Sequence, residues 1–290
     1  MEGLIIGNIS NSYSIKCENK IYEAVARGKF KKEDELTPVV GDKVKIDVLD
    51  EKNAVITQIL KRDTYIKRPK IANISQIIFV VSTKHPKPDL LMLDKQLIYA
   101  EYLKIEPIII LNKIDLDECY NDIEKLYTKV GYKVLNTNAI KGQGIEELKQ
   151  LLKGKISAFS GNSGVGKSTI INALFNGNIT KEGEISKKNK KGKNTTTDVK
   201  LYELDKDTYI ADTPGFSSFE INEIESKDID KYFRDFRNFI DDCEFVGCTH
   251  IKEENCGIKQ AMENGKIEQE RYDRFCRIYQ ELKEKEAHKW

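Results

Sequence analysis

The chain has 290 residues, of which 39% are hydrophobic and 33% charged, a balance typical of a folded globular protein. The formal net charge is only +1, so any attraction to nucleic acid has to come from local basic patches. The longest apolar runs, Ile77–Val81 and Ile108–Leu111, are too short to cross a bilayer, and the N-terminal residues lack the pattern of a secretory signal. These features predict a cytoplasmic protein with no membrane partner, whose cysteines stay reduced.

Residues 1–67 are predicted to form short strands. Val44, Ile46 and Val48 alternate with charged residues, which is the period-two pattern of a half-buried strand. Further runs of the same character are Leu4–Ile9, Tyr13–Cys17, Ile21–Ala26 and Ala54–Leu60. This many short strands in one short segment predicts a small closed barrel of the oligonucleotide-binding (OB) type.

Basic residues gather at two places beside this predicted barrel. They lie in one connection and at the barrel's exit: Arg27, Lys29, Lys31, Lys32, Lys61, Arg62, Lys67, Arg68 and Lys70. They either bind RNA or form the ordinary solvated surface of a lysine-rich protein, and charge alone leaves both interpretations open.

Residues 68–221 alternate short apolar runs with helical stretches. The predicted strands are Ile77–Val81, Ile108–Leu111, Lys133–Leu135, Ile156–Ser160, Val199–Leu204 and Tyr209–Ala211. The predicted helices include Leu91–Leu103, Ile123–Val130, Ile145–Leu152 and Thr169–Phe175. This alternation predicts an α/β domain, with a mostly parallel sheet covered by helices on both faces.

Residues 222–290 show no clear strand pattern. They contain a cluster of cysteines and then a helix whose apolar stripe has the spacing i, i+3, i+4, i+7, formed by Phe275, Ile278, Tyr279 and Leu282. We expect this stripe to pack against the rest of the protein rather than to bind a ligand.

The sequence GNSGVGKS, residues 161–168, matches the phosphate-loop pattern between a predicted strand and a predicted helix. Its glycines let successive backbone N–H groups surround the β-phosphate, and the helix N-terminus adds its dipole. Lys167 is predicted to bridge the β- and γ-phosphates, and Ser168 to ligate Mg²⁺. A chance match is the alternative, and the flanking elements argue against it.

The sequence NKID, residues 112–115, follows a predicted strand at the carboxyl edge of the sheet, where open α/β sheets bind ligands. The Asp115 carboxylate only accepts hydrogen bonds, so it suits the two donors on the edge of guanine and repels the ring acceptor of adenine. Asn112 can serve the purine or brace the loop, and the Lys113 stem can cover the ring. Alone the motif is weak evidence, but together with a phosphate loop it predicts a guanine nucleotide site. Thr137–Ala139 loosely resemble the loop that supports guanine in GTPases, and a plain strand–helix turn is the alternative.

The sequence DTPG, residues 212–215, also follows a predicted strand. Asp212 is predicted to reach Mg²⁺ through water, and the Gly215 N–H to contact the γ-phosphate. Between the two phosphate motifs lies GKNTTT, residues 192–197, from which one threonine should complete the Mg²⁺ shell, with Thr196 favoured. The surrounding lysines are also compatible with a plain flexible loop.

The spacing C-x₄-C-x-H-x₅-C predicts a structural Zn²⁺ site. Its residues are Cys243, Cys248, His250 and Cys256, which are four soft or borderline ligands in one short segment of a reduced protein. Four protein ligands would fill a tetrahedral shell, so the site should be structural rather than catalytic. Core cysteines beside a surface histidine are the alternative.

The order of the nucleotide motifs is permuted, because NKID precedes the phosphate loop here and follows DxxG in Ras-like domains. Permutation moves the termini and keeps the same sheet. Permuted NKID, GNSGVGKS, a threonine-rich switch, DTPG and the Cys/His cluster together resemble the small-ribosomal-subunit-dependent GTPases of bacteria, the RsgA or YjeQ family. The segments VARGKF, VVGDKV, RPKIANISQ and IIILNKIDL extend the resemblance along nearly the whole chain.

The resemblance implies an OB-type barrel over residues 1–67, a circularly permuted GTPase domain over 68–221 and a helical zinc-binding domain over 222–290. It implies hydrolysis of GTP to GDP and phosphate, and binding to the small ribosomal subunit and its rRNA late in maturation. The implied nucleotide ligands are Asn112, Lys113, Ile114, Asp115, Ser160, Gly161, Asn162, Ser163, Gly164, Val165, Gly166, Lys167, Ser168, Asp212 and Gly215.

One departure concerns hydrolysis. The family usually has a histidine just before the three threonines, whereas this chain has Asn194. Lys167 and Asn194 are therefore the expected catalytic residues. Whether Asn194 positions the attacking water is left open by the sequence. A second departure concerns the residue after DTPG, where Phe216 stands in place of the glutamine that orients water in Ras-like enzymes.

Two rival hypotheses stay open at this point. The chain could be a GTP-gated RNA-binding clamp with negligible turnover, or a permuted GTPase that serves something other than ribosomes. The flanking barrel and zinc segment favour the ribosomal hypothesis, with the chain acting as a monomer.

Overall fold

The computed structural model describes residues 1–9, 11–27, 37–117, 120–177, 199–212, 221 and 223–288. Within these ranges no helix combines the length and the apolar character needed to cross a bilayer. One continuous sheet of eleven strands runs through the barrel and the nucleotide-binding region.

The first five strands form a closed barrel. They are β1 (Glu2–Ile9), β2 (Ser12–Cys17), β3 (Lys20–Ala26), β4 (Lys43–Val48) and β5 (Asn53–Ile59). They pair in the order β1-β2-β3-β5-β4, and β4 pairs back to β1. Alternate residues point inward, and Ile5, Ile15 and Ile56 are fully buried. The predicted five-stranded barrel is confirmed.

A short hairpin, which the sequence did not predict, connects the barrel to the next region. Its strands are β6 (Tyr65–Lys67) and β7 (Lys70–Ala72). Arg62 at its start binds the buried carboxylate of Asp42 through Nε (2.7 Å) and Nη2 (2.8 Å). Asn73 at its end donates to the Gly41 carbonyl oxygen at 2.8 Å. Buried hydrogen bonds therefore fix the hairpin to the barrel.

The second region is an α/β sheet. Its strands are β8 (Gln76–Ser82), β9 (Glu106–Asn112), β10 (Lys133–Thr137), β11 (Ile156–Ser160), β12 (Lys200–Asp205) and β13 (Thr208–Asp212). They lie in the order β10-β9-β8-β11-β13-β12, and all pairs are parallel except β12–β13. At the edge of this sheet, β12 pairs antiparallel with β1 of the barrel, with Lys200 opposite Gly7. The predicted mostly parallel sheet is confirmed.

Helices cover both faces of this sheet. They are α1 (Leu90–Tyr102), α2 (Tyr120–Val130), α3 (Ile145–Leu152) and α4 (Lys167–Leu174). Leu97 of α1 and Tyr127 of α2 belong to one core, whereas Leu148 of α3 and Ile170 of α4 belong to the other. Strand β8 is buried along its whole length because both faces are covered.

The C-terminal region is helical in its described part. It contains 3₁₀ turns at Ser226–Tyr232 and Ile240–Asp242, followed by α5 (Gly257–Glu263) and α6 (Gln269–Ala287). Phe275, Ile278 and Leu282 are buried, which confirms the predicted packing stripe. The Phe275 ring packs against Phe233 and Phe236, with centroids 5.2 and 4.9 Å away.

A buried ionic cluster joins this region to the helices of the sheet. The Asp94 carboxylate of α1 accepts hydrogen bonds from Arg271 Nη1 (2.5 Å), Arg274 Nε (2.5 Å) and the Tyr127 hydroxyl (2.7 Å). Arg271 Nε also donates to Asp235 Oδ2 at 2.7 Å. Asp94 and Arg271 are each 1% exposed, so removing one partner would leave a buried charge uncompensated. The cluster fixes where α6 sits on α1 and α2.

Candidate functional site

The phosphate-loop sequence forms the connection between β11 and α4, as its pattern predicted. At Gly161 and Gly166 the backbone has positive φ angles of 139° and 103°, and a Cβ would lie 2.3 Å from the Val80 carbonyl oxygen and 2.2 Å from Asn112 Nδ2 respectively. Only glycine fits either position. The close approach at Gly166 brings the loop into contact with the NKID motif.

Lys167 lies across the inside of this loop. Its Nζ donates to the carbonyl oxygens of Gly161 (2.6 Å) and Asn162 (2.9 Å). Burial lowers the pKa of the ammonium group, because a buried cation lacks hydration. Ser163, Gly164 and Ser168 are exposed at the mouth of the loop, where a phosphate chain could reach them.

Asn112 joins three segments through its side chain. Its Nδ2 donates to the Val165 carbonyl oxygen of the phosphate loop at 2.9 Å. Its Oδ1 accepts from Thr137 Oγ1 (3.0 Å) and from the Ala139 backbone N–H (3.3 Å). The side chain is 2% exposed, so these bonds form away from water. Asn112 braces the site, which is one of the two roles that the sequence left open.

Lys113, the next residue, also connects the NKID motif to the phosphate loop. Its backbone has a φ angle of 64°, a left-handed conformation that is uncommon for residues other than glycine. Its Nζ donates to the Gly164 carbonyl oxygen at 2.7 Å and to the His85 carbonyl oxygen. Its own carbonyl oxygen accepts from Thr83 Oγ1 at 2.7 Å. Asp115, two residues further on, is exposed beside the braced loop.

The loop after β10 takes part in the same site. Thr137 and Ala139 are buried and bind Asn112, and the Ile114 N–H donates to the Thr137 carbonyl oxygen at 3.4 Å. The sequence showed only a loose resemblance of these residues to the loop that supports guanine in GTPases. The pairing of β10 with β9, with Thr137 opposite Asn112, places them beside the NKID motif.

Asp212 ends β13, beside the strand that carries the phosphate loop. It is half-buried, and burial raises the pKa of its carboxyl group to about 6. A desolvated carboxylate is stabilised in its charged form when a cation is placed near it. This property suits the predicted approach to Mg²⁺. Asn194, Thr196, Gly215 and Phe216 lie outside the described residues, so their predicted roles remain predictions.

The four predicted zinc ligands come together. Their ligand atoms all lie within 4.8 Å of one another, and Cys248, His250 and Cys256 are buried. Cys243 Sγ lies 4.0 Å from Cys256 Sγ and 3.6 Å from His250 Nδ1, and His250 Nδ1 lies 3.3 Å from Cys256 Sγ. A tetrahedral zinc site with Zn–S bonds of about 2.3 Å has ligand separations of about 3.8 Å. The donor set and the spacing therefore fit Zn²⁺.

Surrounding groups orient these ligands. His250 Nε2 lies 3.3 Å from Asp230 Oδ2, which leaves Nδ1 facing the thiols. The Tyr272 hydroxyl of α6 donates to the His250 carbonyl oxygen at 2.6 Å. Burial raises the pKa of the Cys248 thiol to about 12, with neighbouring thiols adding to the effect. Sequence reasoning missed Asp230, because it lies twenty residues before the histidine it contacts.

Known proteins are similar to this chain in sequence and in fold. A family model described as the RsgA GTPase matches residues 59–222, and one described as the RsgA N-terminal domain matches residues 2–56. Curated relatives named small ribosomal subunit biogenesis GTPase RsgA include those of Caldanaerobacter subterraneus subsp. tengcongensis, 39% identical over 292 residues, and Clostridium beijerinckii, 42% identical over 293 residues. The match covers 100% of this chain in both cases, and 98% and 100% of the relatives.

Two solved structures are similar along nearly their whole length. The crystal structure of YjeQ from Thermotoga maritima has a TM-score of 0.84 and 34% identity, covering 97% of this chain and 98% of that one. The crystal structure of YloQ, described as a circularly permuted GTPase, has a TM-score of 0.83 and 29% identity, covering 98% and 95%. These similarities confirm the resemblance that the motifs predicted.

The metal cluster gives a first prediction. Cys248→Ser should abolish metal binding and lower the unfolding temperature, because metal binding at a structural site contributes to the free energy of folding. Cys276→Ser is the matched control, since this half-buried cysteine of α6 is outside the cluster. Elemental analysis should find one zinc per chain in the wild type and in the control. Wild-type protein that lacks zinc after growth with zinc would contradict the assignment.

Asp212 gives a second prediction. Its pKa of about 6 lies above the ordinary 3.8, so the folded state favours the protonated form, and that contribution to stability is lost as pH rises through 6. Asp212→Asn should therefore stabilise the nucleotide-free protein by about 1 kcal/mol at pH 8, after allowance for solvent screening, and by nearly nothing at pH 4.

The same substitution should weaken Mg²⁺-dependent GTP binding. Asp205→Asn, an exposed residue at the end of β12, is the control. Urea unfolding at the two pH values measures the effect on stability. Equal stability changes for the two variants at pH 8 would show that burial of Asp212 carries no cost.

Proposed function

The chain belongs to the RsgA family of small ribosomal subunit biogenesis GTPases, and from this premise we propose how its residues bind and hydrolyse GTP. The observation that carries the proposal is the Asn112 side chain, which connects the guanine motif to the phosphate loop. A protein that binds only a base or only a phosphate has no need of this connection.

Guanine is read by the loops that Asn112 and Lys113 brace. Asp115 accepts hydrogen bonds from the two donors on the guanine edge. The Lys113 stem covers one face of the ring, and its fixed Nζ holds the stem against the phosphate loop. The Ala139 loop closes the other side of the base site.

The phosphates lie in the loop from Gly161 to Ser168. Backbone N–H groups surround the β-phosphate, and Lys167 moves from the loop carbonyls to the β- and γ-phosphates. Ser168, Thr196 and, through water, Asp212 would hold Mg²⁺, and the ion would supply positive charge that offsets the charge of the phosphates. Water attacks the γ-phosphorus, the bond to the bridging oxygen breaks, and the products are GDP and inorganic phosphate.

Asn194 orients the attacking water in this proposal. Its amide can donate to and accept from water but cannot take a proton at neutral pH, so turnover by the isolated protein should be slow. The lysine-rich segment that contains it would meet ribosomal RNA, and this contact would place Asn194. A GTP-gated clamp that binds RNA without turnover is the second candidate, favoured by Phe216 in the position of the usual glutamine.

The flanking regions serve the ribosome in this proposal. The barrel, within residues 1–67, contacts rRNA through its basic connection and exit, and residues 222–290 dock on the subunit around a structural Zn²⁺. Residues 68–221 carry the GTPase. We expect the chain to act as a monomer in the cytoplasm, where assembling subunits are found.

Base recognition gives a third prediction. Asp115→Asn should weaken GTP binding by about 10- to 150-fold, because hydrogen bonds to a charged group contribute about 1.5–3 kcal/mol. Xanthosine triphosphate should gain affinity, since its base presents an acceptor to the new amide donor. Asp117→Asn, two residues further along the same loop, is the control. Unchanged GTP affinity in Asp115→Asn would show that this carboxylate does not read the base.

Turnover gives a fourth prediction and the main test of the function. GTP hydrolysis should be slow for the isolated protein and rise about tenfold or more with purified small ribosomal subunits. The stimulation should fall as salt rises, because lysine–phosphate contacts release counterions. Asn194→Ala should lose most of it, whereas Asn264→Ala at the end of α5 should keep it.

The outcomes separate the candidates. Fast turnover without subunits would contradict the dependence on the ribosome. Subunit binding with negligible turnover would support the clamp. Full stimulation of Asn194→Ala would remove Asn194 from the proposed mechanism.

A further inference from the structure

Helix α1 lies between the C-terminal region and the phosphate loop. Its residue Asp94 is held in the buried cluster with Arg271 and Arg274 of α6. Two residues later, Gln96 donates from Nε2 to Ser160 Oγ at 3.3 Å. Ser160 is the last residue of β11, directly before Gly161. One short stretch of helix therefore contacts both regions.

The contact with the phosphate loop is buried. Gln96 is 3% exposed and Ser160 is fully buried. Leu93 and Gln96 also line a small cavity with Gly161, Asn162 and Val165, so the side of α1 faces the start of the loop. This buried hydrogen bond holds Ser160, the residue directly before the loop, against α1 and so restrains the point from which the loop turns.

The contact with the C-terminal region runs along α1 from Asp94 to Glu101. Lys95 forms an ion pair with Glu281 of α6, and Glu101 near the helix end accepts from Arg234 Nε (2.8 Å) and Arg237 Nη2 (2.6 Å). Glu101 is largely shielded from solvent, so these pairs are screened less than surface pairs. The ion pair between α2 and this region, Lys129 with Glu268, is by contrast half-exposed at both residues. A shift of α6 would therefore be transmitted to α1.

We propose that α1 couples the docking of the zinc-bearing C-terminal region to the phosphate loop, with Gln96 as the positioning residue that holds the start of the loop. This inference rests on the proposed function, since it requires nucleotide phosphates in that loop. Coupling is reciprocal, so nucleotide binding also stabilises the docked position of α6. Through this link, contacts made by the C-terminal region alter how tightly the phosphates are held.

The first measurement is nucleotide affinity in the full-length, zinc-loaded protein. Gln96→Met keeps the size of the side chain and removes its hydrogen bond, so it should weaken GDP and GTP binding by about three- to tenfold. Affinity for guanosine, which lacks phosphates, should stay the same. Gln150→Met on α3 is the matched control, because it removes an exposed hydrogen bond of the same length, 3.3 Å, from a helix residue outside the loop.

The second measurement is hydrogen exchange, which a purely structural role of Gln96 would not alter. Saturating GDP should slow exchange in peptides from α6 of the wild type by about fivefold or more, relative to peptides from β2 of the barrel. In Gln96→Met at saturating GDP this additional protection of α6 should be lost. Gln150→Met should show the wild-type pattern.

The results decide between the possibilities. The proposal is supported if Gln96→Met binds GDP more weakly but guanosine equally well, and if this variant alone loses the protection of α6. Unchanged GDP affinity in Gln96→Met, or equal α6 protection in the wild type and this variant, overturns it. Wild-type protein that binds neither GDP nor GTP contradicts the proposed function itself.

Discussion

The nucleotide site depends on one buried side chain, that of Asn112. Strands β9 and β11 are separated by β8, so the guanine motif and the phosphate loop begin about 10 Å apart at the sheet edge. Asn112 closes this gap with one bond to Val165, one to Thr137 at the end of β10 and one to Ala139 in the loop that follows. Each buried partner that lost its bond would cost about 1–3 kcal/mol. Gly166 has to be glycine because it passes directly beside this amide.

The permuted chain order leaves this site intact because sheet neighbours, rather than sequence neighbours, form it. Strand β8 pairs with β9 and also with β11, although β9, β10 and three helices separate β8 from β11 in the chain. Permutation instead changes where the chain goes after Asp212. It continues to Ile221 and into the metal-binding region, which the Asp94 cluster holds against α1 and α2. The α/β sheet region and the metal-binding region are thus consecutive along the chain and packed together through this cluster.

The sequence predicted those features whose residues lie close together in the chain. The phosphate loop, NKID and the Cys₃His cluster each fit within fourteen residues, and the alternating patterns of the barrel depend only on neighbouring positions. The Asp94 cluster could not be predicted, because its arginines lie 177 and 180 residues away. Hairpin β6–β7 was missed because its three-residue strands show no period. The hydrogen bonds of Asn112 could not be predicted, because they depend on the order of the strands in the sheet, which a single sequence does not give.

The most direct test of this account is the stabilisation of the protein by GDP in the wild type and in Asn112→Ala. A ligand that binds only the folded state raises the free energy of unfolding by about 2.7 kcal/mol at a concentration of 100 Kd. If Asn112 holds the base and phosphate loops in register, GDP at that concentration should give the wild type this increase and Asn112→Ala almost none. Asn136→Ala on the neighbouring strand β10, which loses a bond to Glu124, should keep the wild-type increase. The same GDP-dependent stabilisation in Asn112→Ala and the wild type would contradict the central role of this side chain.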